Sequence, residues 1–206
     1  MPACVVLAAG ASLRSGAVPK ALLPLRDGRS VLHHVLRTAE GADLTPLWVV
    51  VGARAEEVRR EVEGTRATSV VHHGWERGRT GSVKRGLGSA GEGHGGTLLW
   101  PVDHPFVSNE TLRVLSKATS RTAGPDAPAE WLIPLYRGRR GHPVVVGDGA
   151  RREVLSFPDD VPLFRYPRSH PSGVLEIPVD DPGVVENIDT PAAFAAAVAR
   201  CFGGGP

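Results

Sequence analysis

The 206-residue chain balances 24 Lys and Arg against 22 Asp and Glu, for a formal charge of +2, with 41% hydrophobic and 22% charged residues. That length buries a sizeable core and makes one domain the default, while so even a charge excludes a nucleic-acid face as the organising feature. Two cysteines exclude a disulfide scaffold, and no apolar run approaches the ~18 residues that cross a membrane. The N-terminus lacks a cationic stretch followed by an apolar one, so the expected compartment is the cytoplasm. Cys4 and Cys201 are both expected in the core as small hydrophobes. A sequence pI near 8.8 is compatible with a local anion site, for which Arg14, Lys20, Arg77, Arg79, Lys84 and Arg85 are available.

In chain order, Ala3 to Leu7 reads as a buried strand bounded by Pro2 and a Gly-rich turn. Val31 to Ala39 has a helical apolar face, with Ser30 placed as N-cap. Leu47 to Val51 is a second strand, Arg54 to Val62 a surface helix, and Thr68 to Val71 a third strand. A helix around Ser82 to Ser89 precedes a fourth strand, Thr97 to Val102, which runs into Asp103-His104-Pro105. Ser108 caps a helix reaching about Ala118, and the Pro/Gly/Ala-rich stretch from Arg121 to Glu130 reads as a surface connection. Trp131 to Tyr136 and Pro143 to Val146 read as strands joined by the basic turn Arg137 to Gly141. A short helix near Ala150 to Leu155 and an irregular Pro-rich stretch, without a readable motif, lead to a strand at Val174 to Val179. Thr190-Pro191 starts a last helix with Phe194, Ala197, Val198 and Cys201 on one face. Strands alternating with helices predict an α/β fold with a mostly parallel sheet and right-handed crossovers, whose ligands lie beyond the carboxyl ends of the strands. Residues 1–202 are expected to form one domain followed by a frayed tail, 203–206.

The loop from Leu7 to Lys20 is the densest feature of the chain. It consists of small, flexible residues punctuated by two cations, Arg14 and Lys20, and so suits close backbone approach to a nucleoside triphosphate. It is not a Walker A loop, because five residues separate Gly10 from Gly16 and Ala17 follows. It is not a dinucleotide fingerprint either, because Ser12 and Ser15 stand where glycines are needed. Asp103, at a strand end beside this loop, is placed to hold a divalent ion, although Asp-x-Pro is also ordinary turn chemistry. The eight His show no metal-ligand spacing, and no Ser-His-Asp or Cys-His constellation stands out.

The stretch Leu7 to Leu23 resembles the LAAG-x-S-x-R-x-G-x-x-P-K-x-L-L loop of the MobA-like nucleotidyltransferases, with Ser15 in place of the usual Met. Three further segments match that family in order: Trp75 to Leu87, Pro101-Val102-Asp103-His104-Pro105, and the closing stretch Asp180 to Pro191, where Asn187 replaces an Asp. Gly141-His142-Pro143 is similar to a segment of its cytidylyltransferase branch, as is Ala9 where the guanylyl branch tends to carry Gly. The resemblance implies a three-layer Rossmann-like nucleotidyltransferase fold and places the triphosphate on Leu7, Ala8, Ala9, Gly10, Ala11, Ser12, Arg14, Gly16 and Lys20. It puts Gly81 and Ser82 in the base pocket, although Ser82 also reads as a helix cap. Mg²⁺ falls on Asp103 and Asp189, the latter alternatively a capping residue beside Thr190, and the catalytic set becomes Arg14, Lys20 and Asp103. His142 and Arg140 would face the acceptor.

The expected activity is transfer of a nucleoside monophosphate, best CMP from CTP, to a phosphorylated acceptor such as molybdopterin, with release of pyrophosphate. The roughly 118 N-terminal residues would bind nucleotide and the remainder acceptor. A molybdoenzyme is a possible recipient, and neither nucleic acid nor membrane is an expected partner. The alternatives are a GTP-dependent enzyme, a sugar- or alcohol-phosphate acceptor, or a non-catalytic carrier of nucleotide or cofactor.

Overall fold

Short apolar runs alternating with amphipathic segments assemble into an eight-stranded sheet covered by helices on both faces, in a computed structural model that describes residues 1–11, 18–121 and 130–203. Ser12, Arg14, Gly16, most of the connection before Trp131 and the last three residues of the tail lie outside the described residues. Strand β1 (Ala3–Ala8) is central because it is apolar on both faces. It pairs in parallel with β2 (Leu47–Val51) and β4 (Thr97–Pro101), and β3 (Thr68–Val71) adds in parallel beyond β2.

The period-two alternation of β1 sends Cys4, Val6 and Ala8 into one core, and Ala3 and Val5 into another. Helices α1 (Val31–Gly41), α2 (Ala55–Arg60), α4 (Asn109–Ala118) and α7 (Pro191–Phe202) cover the first core. Helices α3 (Arg79–Ala90), α5 (Asp148–Ser156) and α6 (Arg165–Ser169) cover the second. Ser30, Ser108 and Thr190 each accept the N–H three residues on, from His33, Thr111 and Ala193, which is why α1, α4 and α7 begin where they do. Helix α3 seats closely on β1 through Gly86, where any Cβ would run into Val5 Cγ1.

Several expectations are corrected. Helix α3 starts at Arg79, because Gly78, at φ 137°, serves as its N-cap; Ser82 therefore lies inside the helix rather than capping it. The sheet is mixed: β5 (Trp131–Tyr136) turns back through Arg137 and Gly138, with φ values of 48° and 75°, the geometry of a tight two-residue hairpin. Arg139 and Arg140 consequently belong to strand β6 (Arg139–Arg140), not to the turn. β6 and β7 (Val144–Val146) are two stretches of one returning strand, antiparallel to β5, and β7 also closes on β4. Between the pairs Leu132–Val145 and Leu135–Arg140 the returning strand has extra residues, a bulge containing Gly141, His142 and Pro143. β8 (Val174–Pro178) runs parallel along the other edge of β5. Cys4 is fully buried, but Cys201 is exposed, because the buried face of α7 narrows to Ala197 and Val198.

The Pro-rich stretch after α5 forms a strap across α3. Thr80 Oγ1 donates to the Val161 carbonyl (2.6 Å), and Lys84 Nζ to the Phe157 carbonyl (2.6 Å) and Asp159 Oδ1 (2.9 Å). Further on, Tyr166 stacks between Trp131 and His170, with ring centroids 5.3 and 4.5 Å apart.

Candidate active site

β1 and β4 end side by side, with Leu7 in register with Pro101. The chain leaving β1 therefore meets the chain leaving β4, and the Val102 N–H donates to the Leu7 carbonyl (3.1 Å). Beyond these ends opens a cleft of about 420 Å³, lined by Ala9, Gly10, Ala11, Lys20, Trp75, Glu76, Ser82, Asp103 and Asp189. Asp189 reaches it from far along the chain because the Ile188 N–H donates to the Asp103 carbonyl (2.9 Å).

The Lys20 ammonium lies between two carboxylates, bonded to Asp189 Oδ1 and 3.6 Å from Asp103 Oδ2. Asp103 Oδ1 lies 2.9 Å from His104 Nδ1. The turn that presents both residues is held by Trp100 Nε1, which donates to the His104 carbonyl (2.9 Å). Burial opposes ionisation of Asp103, but the hydrogen bond and charge of His104, with Lys20 and Arg79, outweigh it and hold the carboxyl well below the usual range. The His104 ring meets His142 edge-on, centroids 4.9 Å apart. Burial first, then the charges of His104 and Arg79, push the His142 imidazole down to about 4, so it is neutral near pH 7. Its Nδ1 is out of solvent and has no hydrogen-bond partner among the described residues.

Among the described residues no three His, Cys, Asp or Glu side chains cluster as a metal site. The Asp103–Asp189 pair still fits a hard divalent ion: its donors are oxygens only, and one ammonium leaves net negative charge between two carboxylates. Such an ion completes its shell with water and phosphate oxygens rather than with a third side chain.

A second cleft of about 580 Å³ adjoins the first, and Leu7, Gly78, Arg79 and Pro101 line both. Its floor is apolar, from Leu99, Trp131, Ile133 and Val144, and the strap adds Leu163 and Phe164. His142 and Arg140 line it, brought there by the bulge: the His142 N–H donates to the Val184 carbonyl (2.8 Å), and a Cβ on Gly141 would collide with that same carbonyl. Arg140 Nε is already engaged by Glu176 Oε1 (2.7 Å).

Of the residues singled out in the sequence, the structure brings Leu7, Ala9, Gly10, Ala11, Lys20, Ser82, Asp103 and Asp189 to the first cleft. Ala8 points into the core. Gly81 faces away, where a Cβ would stand 2.9 Å from His72 Nε2. Trp75, Glu76 and His104 were not singled out for this site, and Arg79 only as one of six cations available to a local anion site. The one available signal for Trp75 is Gly52, whose missing side chain leaves room for the Trp75 ring.

A parallel sheet core with a Gly-bearing loop after one strand, a carboxylate after its neighbour and a second carboxylate brought beside it from the chain before α7 defines a Rossmann-like α/β domain of the nucleotidyltransferase class. The chain belongs to the family of the MobA-like NTP transferase domain, which matches residues 4–174. It is 33% identical over 190 residues to nicotine blue oxidoreductase of Paenarthrobacter nicotinovorans, covering 90% of this chain and 91% of that protein. It is 35% identical over 130 residues to the bifunctional protein GlmU of Corynebacterium diphtheriae, 61% of this chain but about a quarter (26%) of that protein. Among solved structures it is similar to Rv0371c of Mycobacterium tuberculosis in complex with manganese, at 26% identity and TM-score 0.73, covering 95% of this chain and 97% of that one. A nucleotidyl transferase from Methanothermobacter thermautotroptrophicus shares the fold, with TM-score 0.82 at 24% identity over 98% of both chains.

Proposed function

We propose that this protein is a divalent-metal-dependent nucleotidyltransferase that moves a nucleoside monophosphate, best CMP from CTP, onto a small phosphorylated acceptor such as molybdopterin. The observation that carries the reading is the convergence of Lys20, Asp103 and Asp189 at the ends of β1 and β4. Lys20, with Arg14, binds the β- and γ-phosphates and the departing pyrophosphate; Gly10, Ala11 and the rest of the loop supply backbone donors. Asp103 and Asp189 hold the ion, Mg²⁺ by preference, and when bound it neutralises phosphate charge. His104 fixes the orientation of the Asp103 carboxylate. Ser82 lies against the base, and His142 and Arg140 face the acceptor in the second cleft. The acceptor oxygen attacks the α-phosphorus in line, so positioning and charge neutralisation supply most of the rate. The preference for CTP rests on Ala9 and on Gly141-His142-Pro143; GTP or a sugar or alcohol phosphate is the alternative within the same chemistry. The cytoplasm is the proposed compartment, and a molybdoenzyme is the proposed recipient of the product.

Asp103→Asn keeps the shape of the side chain and removes its charge. It is expected to abolish metal-dependent pyrophosphate release from CTP and acceptor while metal-free CTP binding stays equal or tightens slightly. Turnover with unaltered metal dependence would remove Asp103 from the mechanism. Nucleotide binding without pyrophosphate release in the wild type would instead indicate a carrier.

The similarity to nicotine blue oxidoreductase over nine-tenths of both chains favours one second reading, a redox enzyme on this fold. A change in the visible absorbance of nicotine blue with an electron donor or acceptor supplied, together with no pyrophosphate from any nucleoside triphosphate, would establish it.

A further inference from the structure

We infer that Arg79 forms an anion subsite at the seam between the two clefts, where it holds the charged head of an acceptor whose body is apolar. This rests on the nucleotidyl-transfer reading for the identity of the acceptor, but not for the existence of the subsite. Four residues line both clefts, and Arg79 is the only charged one among them. Its guanidinium is exposed and has no ion pair among the described residues, in contrast to Arg140, whose Nε is committed to Glu176. Arg79 also opens helix α3, a helix of 12 residues whose N-cap is Gly78, with no side chain capping its first N–H groups. The free N–H groups and the guanidinium thus share one end of the helix.

A second feature points to a ligand at this place. His142 lines the same cleft, and its buried Nδ1 has no partner among the described residues. A buried polar atom left unpaired is costly, and the ring that carries it lines this cleft, so a polar ligand group toward which the imidazole turns would relieve that cost. The remaining surface of the cleft suits a largely apolar body: Leu99, Trp131, Ile133 and Val144 lie beneath it and Phe164 lies at the rim. The nearby carboxylates do not cancel the site. Asp159 is held by Lys84 Nζ at 2.9 Å, Asp103 is already matched by His104 and Lys20, and Asp160 lines the second cleft together with Arg77 as well as Arg79. The acceptor class that fits is a planar or otherwise apolar molecule carrying one phosphate or comparable anion. At the seam Arg79 offsets the repulsion between that anion and the nucleotide phosphates, and its planar fork can hold two anionic oxygens at once.

Phenyl phosphate is a minimal probe of this chemistry. It is titrated by calorimetry into the full-length protein while an α,β-methylene analogue of CTP saturates the neighbouring cleft. Phenyl phosphate should bind and benzyl alcohol should not; Arg79→Met should weaken phenyl phosphate at least about tenfold, the scale of one charge-assisted hydrogen bond. Arg79→Lys should recover part of the loss, and the affinity for the CTP analogue should change by less than about threefold, since charge at the seam is not charge at the β- and γ-phosphates. Absence of phenyl phosphate binding to the wild type, equal binding by Arg79→Met, or a larger loss for the CTP analogue than for phenyl phosphate would each overturn the subsite. Because Arg79 is exposed, thermal unfolding of the variants should match the wild type, and a matched Tm separates loss of the subsite from loss of the fold. A wild type that never releases pyrophosphate yet binds phenyl phosphate through Arg79 would sink the transfer reading and leave the subsite standing.

Discussion

At the residue scale the decisive arrangement is one ammonium between two carboxylates. Lys20 is nearly buried, and its charge offsets the repulsion between Asp103 and Asp189. In the proposed reading the same ammonium would compete with a divalent ion for the two carboxylates and would be free for phosphate once they held that ion. Two consequences follow for Lys20→Ala. Its kcat/KM should fall by about 10² to 10³, as for loss of one donor to developing charge. In the absence of nucleotide, however, its affinity for Mn²⁺, read from the free-ion electron paramagnetic resonance signal, should rise above that of the wild type. A parallel fall in turnover and in Mn²⁺ affinity would mean that Lys20 supports the carboxylates rather than competing at them. Arg14→Lys should also lose activity, because a point charge replaces a fork; equal activity would exclude two-point contact with phosphate.

At the scale of elements, the site depends on how α3 sits. Its N-terminal turn lines both clefts, and its height above the sheet is set by Gly86 against Val5. Gly86→Ala gains helix propensity but must push the helix off β1, and overpacking of this kind costs about 1–3 kcal/mol. A lower denaturant midpoint at unchanged slope is the expected reading; an unchanged midpoint would show that the sheet yields. The strap after α5 is tied to the same helix by Thr80 and Lys84. Thr80→Val with Lys84→Met should raise hydrogen exchange across residues 157–164 while exchange in β1 stays protected. Uniform protection across both regions would show that apolar packing alone seats the strap.

For the molecule as a whole, three imidazoles carry the acid response. His142, His34 and His72 all have pKa values lowered mainly by burial, His142 to about 4. A histidine that is neutral when folded binds its proton more readily when unfolded, so the unfolded state holds more protons between the two pKa values. Stability is therefore full above the unfolded value near 6.5 and falls as pH drops toward 4, by up to about 3 kcal/mol from His142 alone. Asp103 works in the same direction but lower, since a depressed carboxyl pKa stabilises above the ordinary carboxylate range and is lost only on stronger acidification. Calorimetric Tm between pH 7.5 and 4.5 should fall steeply in the wild type and less so in His142→Gln. Parallel curves would show that His142 is not the group responsible.

What the chain determined by itself was local. The apolar runs of β1, β2 and β3 and the caps Ser30 and Ser108 lie where periodicity and capping place them, because those signals act over a few residues. The first cleft was legible to the extent that parallel strands present their carboxyl ends together, which puts Asp103 beside the loop after β1. Tertiary structure decided the rest. Only the Ile188 to Asp103 backbone hydrogen bond brings Asp189 to Lys20, and only the register of β5 against its returning strand makes the bulge that delivers His142 to His104. Arg79 acquires its place at the seam because Gly78 starts α3 earlier than Ser82 suggested, and Cys201 loses its place in the core because α7 buries a narrower face than its periodicity allows. Each of these depends on which distant segment covers a residue, and partners far apart along the chain leave no periodic trace in it.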